Sequence, residues 1–158
     1  MREPDPRDSS PLAADERTSL VVRRTVHAPV ERVFAAWTQP ARLREWWGPE
    51  PITCPEAEVD LRVGGRYRIA NRYADGTIVW ISGEFERIEA PHTLVYTWSL
   101  APGPAMSSRV TVRFNSEGDA TEVVVHHEQL PDAGIRDMHD QGWQGCLDGL
   151  AAYFDRRP

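Results

Sequence analysis

The sequence contains no lysine. All 18 of its basic residues are arginine, which excludes Schiff-base and lysine general-base chemistry. Cysteine is scarce as well. Cys54 and Cys146 stand far apart, match no metal or redox spacing and read as buried free thiols. No apolar run approaches the ~20 residues of a membrane span. The opening MREPDPRDSSPLAADE has no apolar core and does not read as a secretory signal. The net charge is −6, so there is no excess of positive charge for nucleic acid or an anionic membrane. HxxxH, CxxC, nucleophile-elbow, phosphate-loop and dinucleotide motifs are all absent. The expectation is a cytoplasmic protein, monomer or homodimer, with no metal, cofactor, nucleic-acid partner or membrane insertion.

What is present fits a globular protein. Hydrophobic residues make up 41% and charged residues 27% of 158, enough for one domain with a core. Residues 1–17, rich in Pro, Asp, Arg and Ser, are expected to form a disordered tail. Residues 18–158 are expected to form a single domain.

The chain from Thr18 opens with a strand, SLVVRRTVHA, ended by Ala28-Pro29. Pro29 suits the first turn of a helix whose apolar face is Val30, Val33, Phe34 and Trp37. Gln39-Pro40 breaks that helix, and a second, short one runs from Ala41 to Trp46, closing at Trp47-Gly48-Pro49. The period then changes to two. Strands are expected at Glu56–Arg62, around Tyr67, Ile69 and Asn71, at Thr77–Ile88, Thr93–Leu100, Arg109–Asn115 and Thr121–His127. Gly64-Gly65, Asp75-Gly76 and Glu117-Gly118-Asp119 mark turns. A bulge is expected at Gly83.

The longest helical pattern is the last, Gly134 to Phe154. Ile135, Met138, His139, Gly142, Cys146, Leu150 and Tyr153 share one face. Gly142, Gly145 and Gly149 recur along it, although each interior glycine costs a helix about 1 kcal/mol relative to alanine. Either the helix is pressed close against a neighbour or its face is thinned to leave space. Hairpin-linked strands followed by an amphipathic helix predict an α+β fold, a curved antiparallel sheet of about six to seven strands wrapped around that helix.

These segments resemble the START-like superfamily, also called SRPBCC or Bet v 1-like, with its helix-grip fold. Within it, the branch named for the activator of heat-shock-protein-90 ATPase is the most similar. The resemblance is carried by Ala28-Pro29 with Val33-Phe34 and Trp37, by Trp46-Trp47-Gly48-Pro49, and by the run Val59 to Tyr67. It continues through Asp75-Gly76, Gly83-Glu84-Phe85, Ala90-Pro91 with Leu94, His127 with Leu130-Pro131, and Gly142-Trp143. It spans about residues 18 to 155. It implies a cavity between the long helix and the concave sheet. The superfamily includes lipid and hormone carriers as well as polyketide cyclases, so fold alone does not choose a function. The co-chaperone that gives the branch its name carries a further chaperone-binding domain, and neither that domain nor an Hsp90 role is expected of this chain.

On this footing the expected function is binding of a small hydrophobic, aromatic or polyketide-like molecule. The expected lining is Tyr67, Ile69, Trp80, Tyr96, Trp98, Val110, Val112, Phe114 and Val125 from the sheet. The helix adds Met138, His139, Gly142, Cys146, Gly149 and Tyr153. Trp143 belongs to the same aromatic set, which either fills the core or stacks on a flat ligand. Trp46 and Trp47 read as a cap on one end of the core. The alternative is an enzyme of the cyclase, dehydratase or hydrolase type acting in the same cavity. Its acid–base candidates are His127, His139, Asn71 and Glu84. A third use, protein interaction through the convex sheet, would need an exposed apolar patch.

Overall fold

The computed structural model describes residues 18–48, 51–103 and 106–156. In chain order these form β1 (Leu20–Val26), α1 (Val30–Thr38), α2 (Pro40–Trp46), β2 (Ala57–Val59), β3 (Arg66–Arg72) and β4 (Ile78–Glu89). Then come β5 (Thr93–Ala101), β6 (Ser108–Glu117), β7 (Ala120–Glu128) and the long α3 (Ala133–Arg156). The expected tail, Pro49, and Pro104-Ala105 of the β5–β6 loop lie outside the described residues.

Proline sets the early boundaries. Pro29 is extended (φ −69°, ψ 155°) and immediately precedes α1. Pro40 forces Gln39 into an extended conformation (φ −94°, ψ 118°), which ends α1 and lets α2 begin with proline, where no N–H is needed. The seven strands make one antiparallel sheet in the order β1-β7-β6-β5-β4-β3-β2. Every link from β2 to β7 joins neighbours, whereas α1 and α2 carry the chain from one sheet edge to the other. This is the helix-grip arrangement, with an open curved sheet and a long C-terminal helix.

Alternation decides what faces the interior. Val22, Val125, Val112, Leu94 and Ile88 are successive cross-strand partners, and the first four are buried. One half of the sheet is filled solidly. Phe34 of α1 meets Phe114 edge-on at 5.5 Å, and Trp37 stacks on Trp143 of α3 at 6.1 Å with 12° between planes. Tyr96 accepts a hydrogen bond on its hydroxyl from Trp37 Nε1 at 3.4 Å. The Tyr67 hydroxyl donates to the Thr97 carbonyl at 2.6 Å.

Two local expectations are corrected. The strand expected at Glu56–Arg62 is only Ala57–Val59, and Leu61 is 40% exposed. The chain instead folds into a tight loop in which Gly65 N–H bonds the Arg62 carbonyl at 2.8 Å. A Cβ on Gly65 would lie 2.1 Å from the Asp60 carbonyl oxygen. The β4 register shifts between Phe85 and Arg87, which places the irregularity at Glu86 and not at Gly83. Gly83 has a different cause: a Cβ there would sit 1.9 Å from the Thr97 carbonyl oxygen, so β5 presses directly on it.

Candidate functional site

The other half of the interior is not filled. A cavity of about 280 Å³ opens between the first half of α3 and strands β3–β5. From α3 it takes Met138, His139, Gly142, Trp143 and Cys146, the face that the 3.6-residue repeat turns toward the sheet. The sheet supplies Asn71, Val79, Ile81, Trp98 and Leu100, with Tyr73 just past β3. Trp47 and Ile52 reach in from the α2–β2 connection. Met138 (55%) and Tyr73 (38%) are exposed at its rim, while Trp47, Trp98 and Trp143 are buried. Those three indoles pack on one another, with Trp98–Trp143 at 5.2 Å and Trp47–Trp143 at 5.6 Å. No Asp, Glu or Arg is among the described residues that line it.

The glycines of α3 divide by role. A Cβ on Gly142 would meet nothing within 4 Å among the described residues, because it would project into the cavity. A Cβ on Gly149 would come 2.8 Å from the Trp46 carbonyl oxygen, so that glycine admits α2. Gly145 and Gly149 border a separate groove formed with α2 and residues 51–55.

Donor-only indoles fix the polar groups. Trp47 Nε1 donates to Asn71 Oδ1 at 2.9 Å. The Asn71 amide orientation follows, and its Nδ2 has no partner among the described residues. Trp98 Nε1 donates to His139 Nε2 at 3.2 Å, and His139 Nδ1 bonds the Ile135 carbonyl at 2.9 Å. His139 is therefore neutral, with its proton on Nδ1. Trp143 Nε1 donates to His127 Nδ1 at 3.1 Å, and His127 Nε2 lies 2.8 Å from Ser108 Oγ, which donates to the Trp98 carbonyl at 3.3 Å. His127 then carries its proton on Nε2. The imidazoles lie 5.1 Å apart. Burial, with the neighbouring His139 second, holds His127 down to about 2. Burial also lowers His139, against the pull of its bond to the Ile135 carbonyl. The Cys146 thiol is pushed up to about 12, chiefly by burial.

The sequence-predicted residues scatter accordingly. Trp98, Met138, His139, Gly142, Cys146 and Asn71 meet at the cavity. Tyr67, Ile69 and Tyr96 border only a void of about 20 Å³, room for little more than one water. Val110, Val112, Phe114, Val125, Tyr153 and His127 are packed into the filled core. Trp80 and Glu84 lie on the convex face, because β4 turns Val79, Ile81, Gly83 and Phe85 inward as partners of Asn71, Ile69 and Tyr67 on β3 and Tyr96 on β5. There the Arg68 guanidinium sits 3.8 Å from the Trp80 ring centroid, and Glu84 faces Arg66 at 3.9 Å. Ile52, Tyr73, Val79, Ile81 and Leu100 join the lining without having been singled out by the sequence. Trp47 borders the cavity rather than only capping the core, and Trp143, of the aromatic set, is one of its walls. Among the described residues no three His, Cys, Asp or Glu side chains gather where they could hold a metal ion.

The model of the family described as activator of Hsp90 ATPase homolog 1-like protein matches residues 27–155. The chain belongs to this family. Solved structures similar to the chain superpose over most of their length. A Chromobacterium violaceum protein is 28% identical with a TM-score of 0.78, covering 85% of this chain and 96% of that one. A Rhizobium leguminosarum protein is 26% identical with a TM-score of 0.73, covering 88% and 95%. The AHSA1 protein of Silicibacter pomeroyi is 24% identical, at a TM-score of 0.80 and coverage of 89% and 99%, a likeness of fold. No curated protein matches the chain. Proteins of this fold commonly bind hydrophobic ligands. No helix among the described residues is long and apolar enough to cross a membrane.

Proposed function

We propose that this family member binds a small hydrophobic molecule between α3 and strands β3–β5. The observation that carries this is the cavity of about 280 Å³, walled by three indoles and aliphatic side chains, with Gly142 withholding a side chain from it. Its size is near the low end of the roughly 300–1,000 Å³ of small-molecule sites, which favours a ligand of one or two rings over a long lipid. The glycine at position 142 is costly to a helix and a Cβ there would meet no described residue, so space is its best explanation.

Holding is favoured over reacting. Each ring nitrogen of His127 and His139 is engaged within the protein, and burial keeps both rings neutral. Glu84 is on the far side of the sheet. The un-ionised Cys146 thiol is a poor nucleophile. Titration with small aromatic molecules, followed by tryptophan emission, tests the proposal. Because Trp47, Trp98 and Trp143 line the cavity, saturable quenching is expected; a whole panel without response would overturn it.

A further inference from the structure

The ligand's chemical class is legible in the cavity's polar inventory, and this inference rests on the binding proposal above. The lining offers no charge among the described residues. His139 uses one ring nitrogen on Ile135 and the other on Trp98. The Trp47, Trp98 and Trp143 N–H groups are committed to Asn71, His139 and His127. The Asn71 carbonyl oxygen is committed to Trp47, and an indole can only donate, so the amide cannot turn over without leaving two donors face to face. Asn71 Nδ2 remains, with two protons to give and no protein acceptor among the described residues. Asn71 is half-buried beside Val79 and Trp47, Tyr73 stands at the exposed rim, and the buried Cys146 thiol, a weak donor, is engaged with the Gly48 backbone.

We propose that the cavity selects a neutral, apolar molecule bearing one hydrogen-bond acceptor, of the ketone or aldehyde class, anchored by Asn71 Nδ2, and rejects carboxylates. A carbonyl entering this space exchanges its water for the amide protons, so its desolvation is compensated. A carboxylate would lose its hydration with one neutral donor group to replace it and no cation beside it. A pure hydrocarbon would fill the space and leave the Asn71 amide unpaired.

The test uses three molecules of one shape: methyl naphthyl ketone, isopropenylnaphthalene and naphthoate, measured by calorimetry on the wild-type protein and on Asn71→Asp at pH 8. The substitution keeps an acceptor for Trp47 and removes the donor. The expected result is that the ketone-to-hydrocarbon affinity ratio falls about three- to tenfold in Asn71→Asp. Comparing ratios cancels the different water solubilities of the two molecules. Naphthoate is expected to bind the wild type at least about tenfold more weakly than the ketone. If Asn71→Asp does not fold, Asn71→Leu, of nearly the same shape, serves in its place. An unchanged ratio, or naphthoate binding as tightly as the ketone, overturns the selectivity while leaving hydrophobic binding intact. Failure of both neutral molecules to bind the wild type overturns the binding proposal and this inference with it.

Discussion

Gly149 lies beneath the carbonyl oxygen of Trp46, at a distance that would put a β-carbon 2.8 Å from it. Seven residues earlier on the same helix, Gly142 faces space that no described residue fills. One stripe of glycines thus answers two different demands, close approach of α2 at one end and room beside the sheet at the other.

The two positions should respond oppositely to alanine. Gly142→Ala removes a helix-interior glycine without a clash and is expected to stabilise by up to about 1 kcal/mol, a rise in Tm of about 2–4 °C. Gly149→Ala gains the same propensity but forces backbone apart, an overpacking cost of about 1–3 kcal/mol, so its Tm should fall. Thermal melts of both variants decide this. A rise for Gly149→Ala would show that α2 yields freely.

Acid should weaken the fold before the carboxylates titrate. In the folded chain His127 is held down to about 2 from an ordinary 6.5, and His139 is lowered in the same direction. The unfolded chain therefore binds protons that the folded chain refuses. The stabilisation is complete above about pH 6.5 and is lost as pH falls below it toward the folded value. From pH 7.5 to 5 His127 alone accounts for about 2 kcal/mol. Urea unfolding across that range should show the loss, and His127→Gln should shrink it. A stability that is flat or rising toward pH 5 would contradict the buried neutral pair.

Trp80 and Trp98 should separate cleanly. Trp80 stacks under Arg68 on the convex face, so Trp80→Ala should leave ligand affinity within about twofold of wild type, in keeping with the small effects of distant surface changes. Trp98→Phe keeps an aromatic ring in the cavity but removes the donor to His139 Nε2, and should change affinity. Fluorescence titration of both variants checks the assignment of faces, which an effect of Trp80→Ala on binding would reverse.

Much of the fold was legible from periodicity and punctuation. The alternation from Leu94 to Leu100, the Asp75-Gly76 turn and the Pro40 break all mark real boundaries. On α3 helical spacing alone brings Met138, His139, Gly142 and Cys146 to the one face that borders the cavity, whereas Gly149 and Tyr153, expected on the same face, lie against α2 and in the filled core. On β4 the inward row is the one without Trp80. The row Val79, Ile81, Gly83, Phe85 is apolar or small, whereas the row Trp80, Ser82, Glu84 carries a hydroxyl and a carboxylate, and that contrast holds the correct answer. Trp47 and Ile52 enter from a connection with no period to read. The filling of the β6–β7 half by Phe34 and Trp37 depends on how α1 docks, which spacing within one element does not encode.

The most direct test of the cavity is to fill it from within. Gly142→Leu projects a side chain into the space where Gly142 now meets none of the described residues, and its ligand affinity can be measured beside wild type by calorimetry with methyl naphthyl ketone. The expected result is saturable binding by the wild type and a loss of at least about tenfold in Gly142→Leu, with a Tm no lower than that of wild type. Equal affinity in the two proteins would place the ligand elsewhere and contradict the assignment of this cavity.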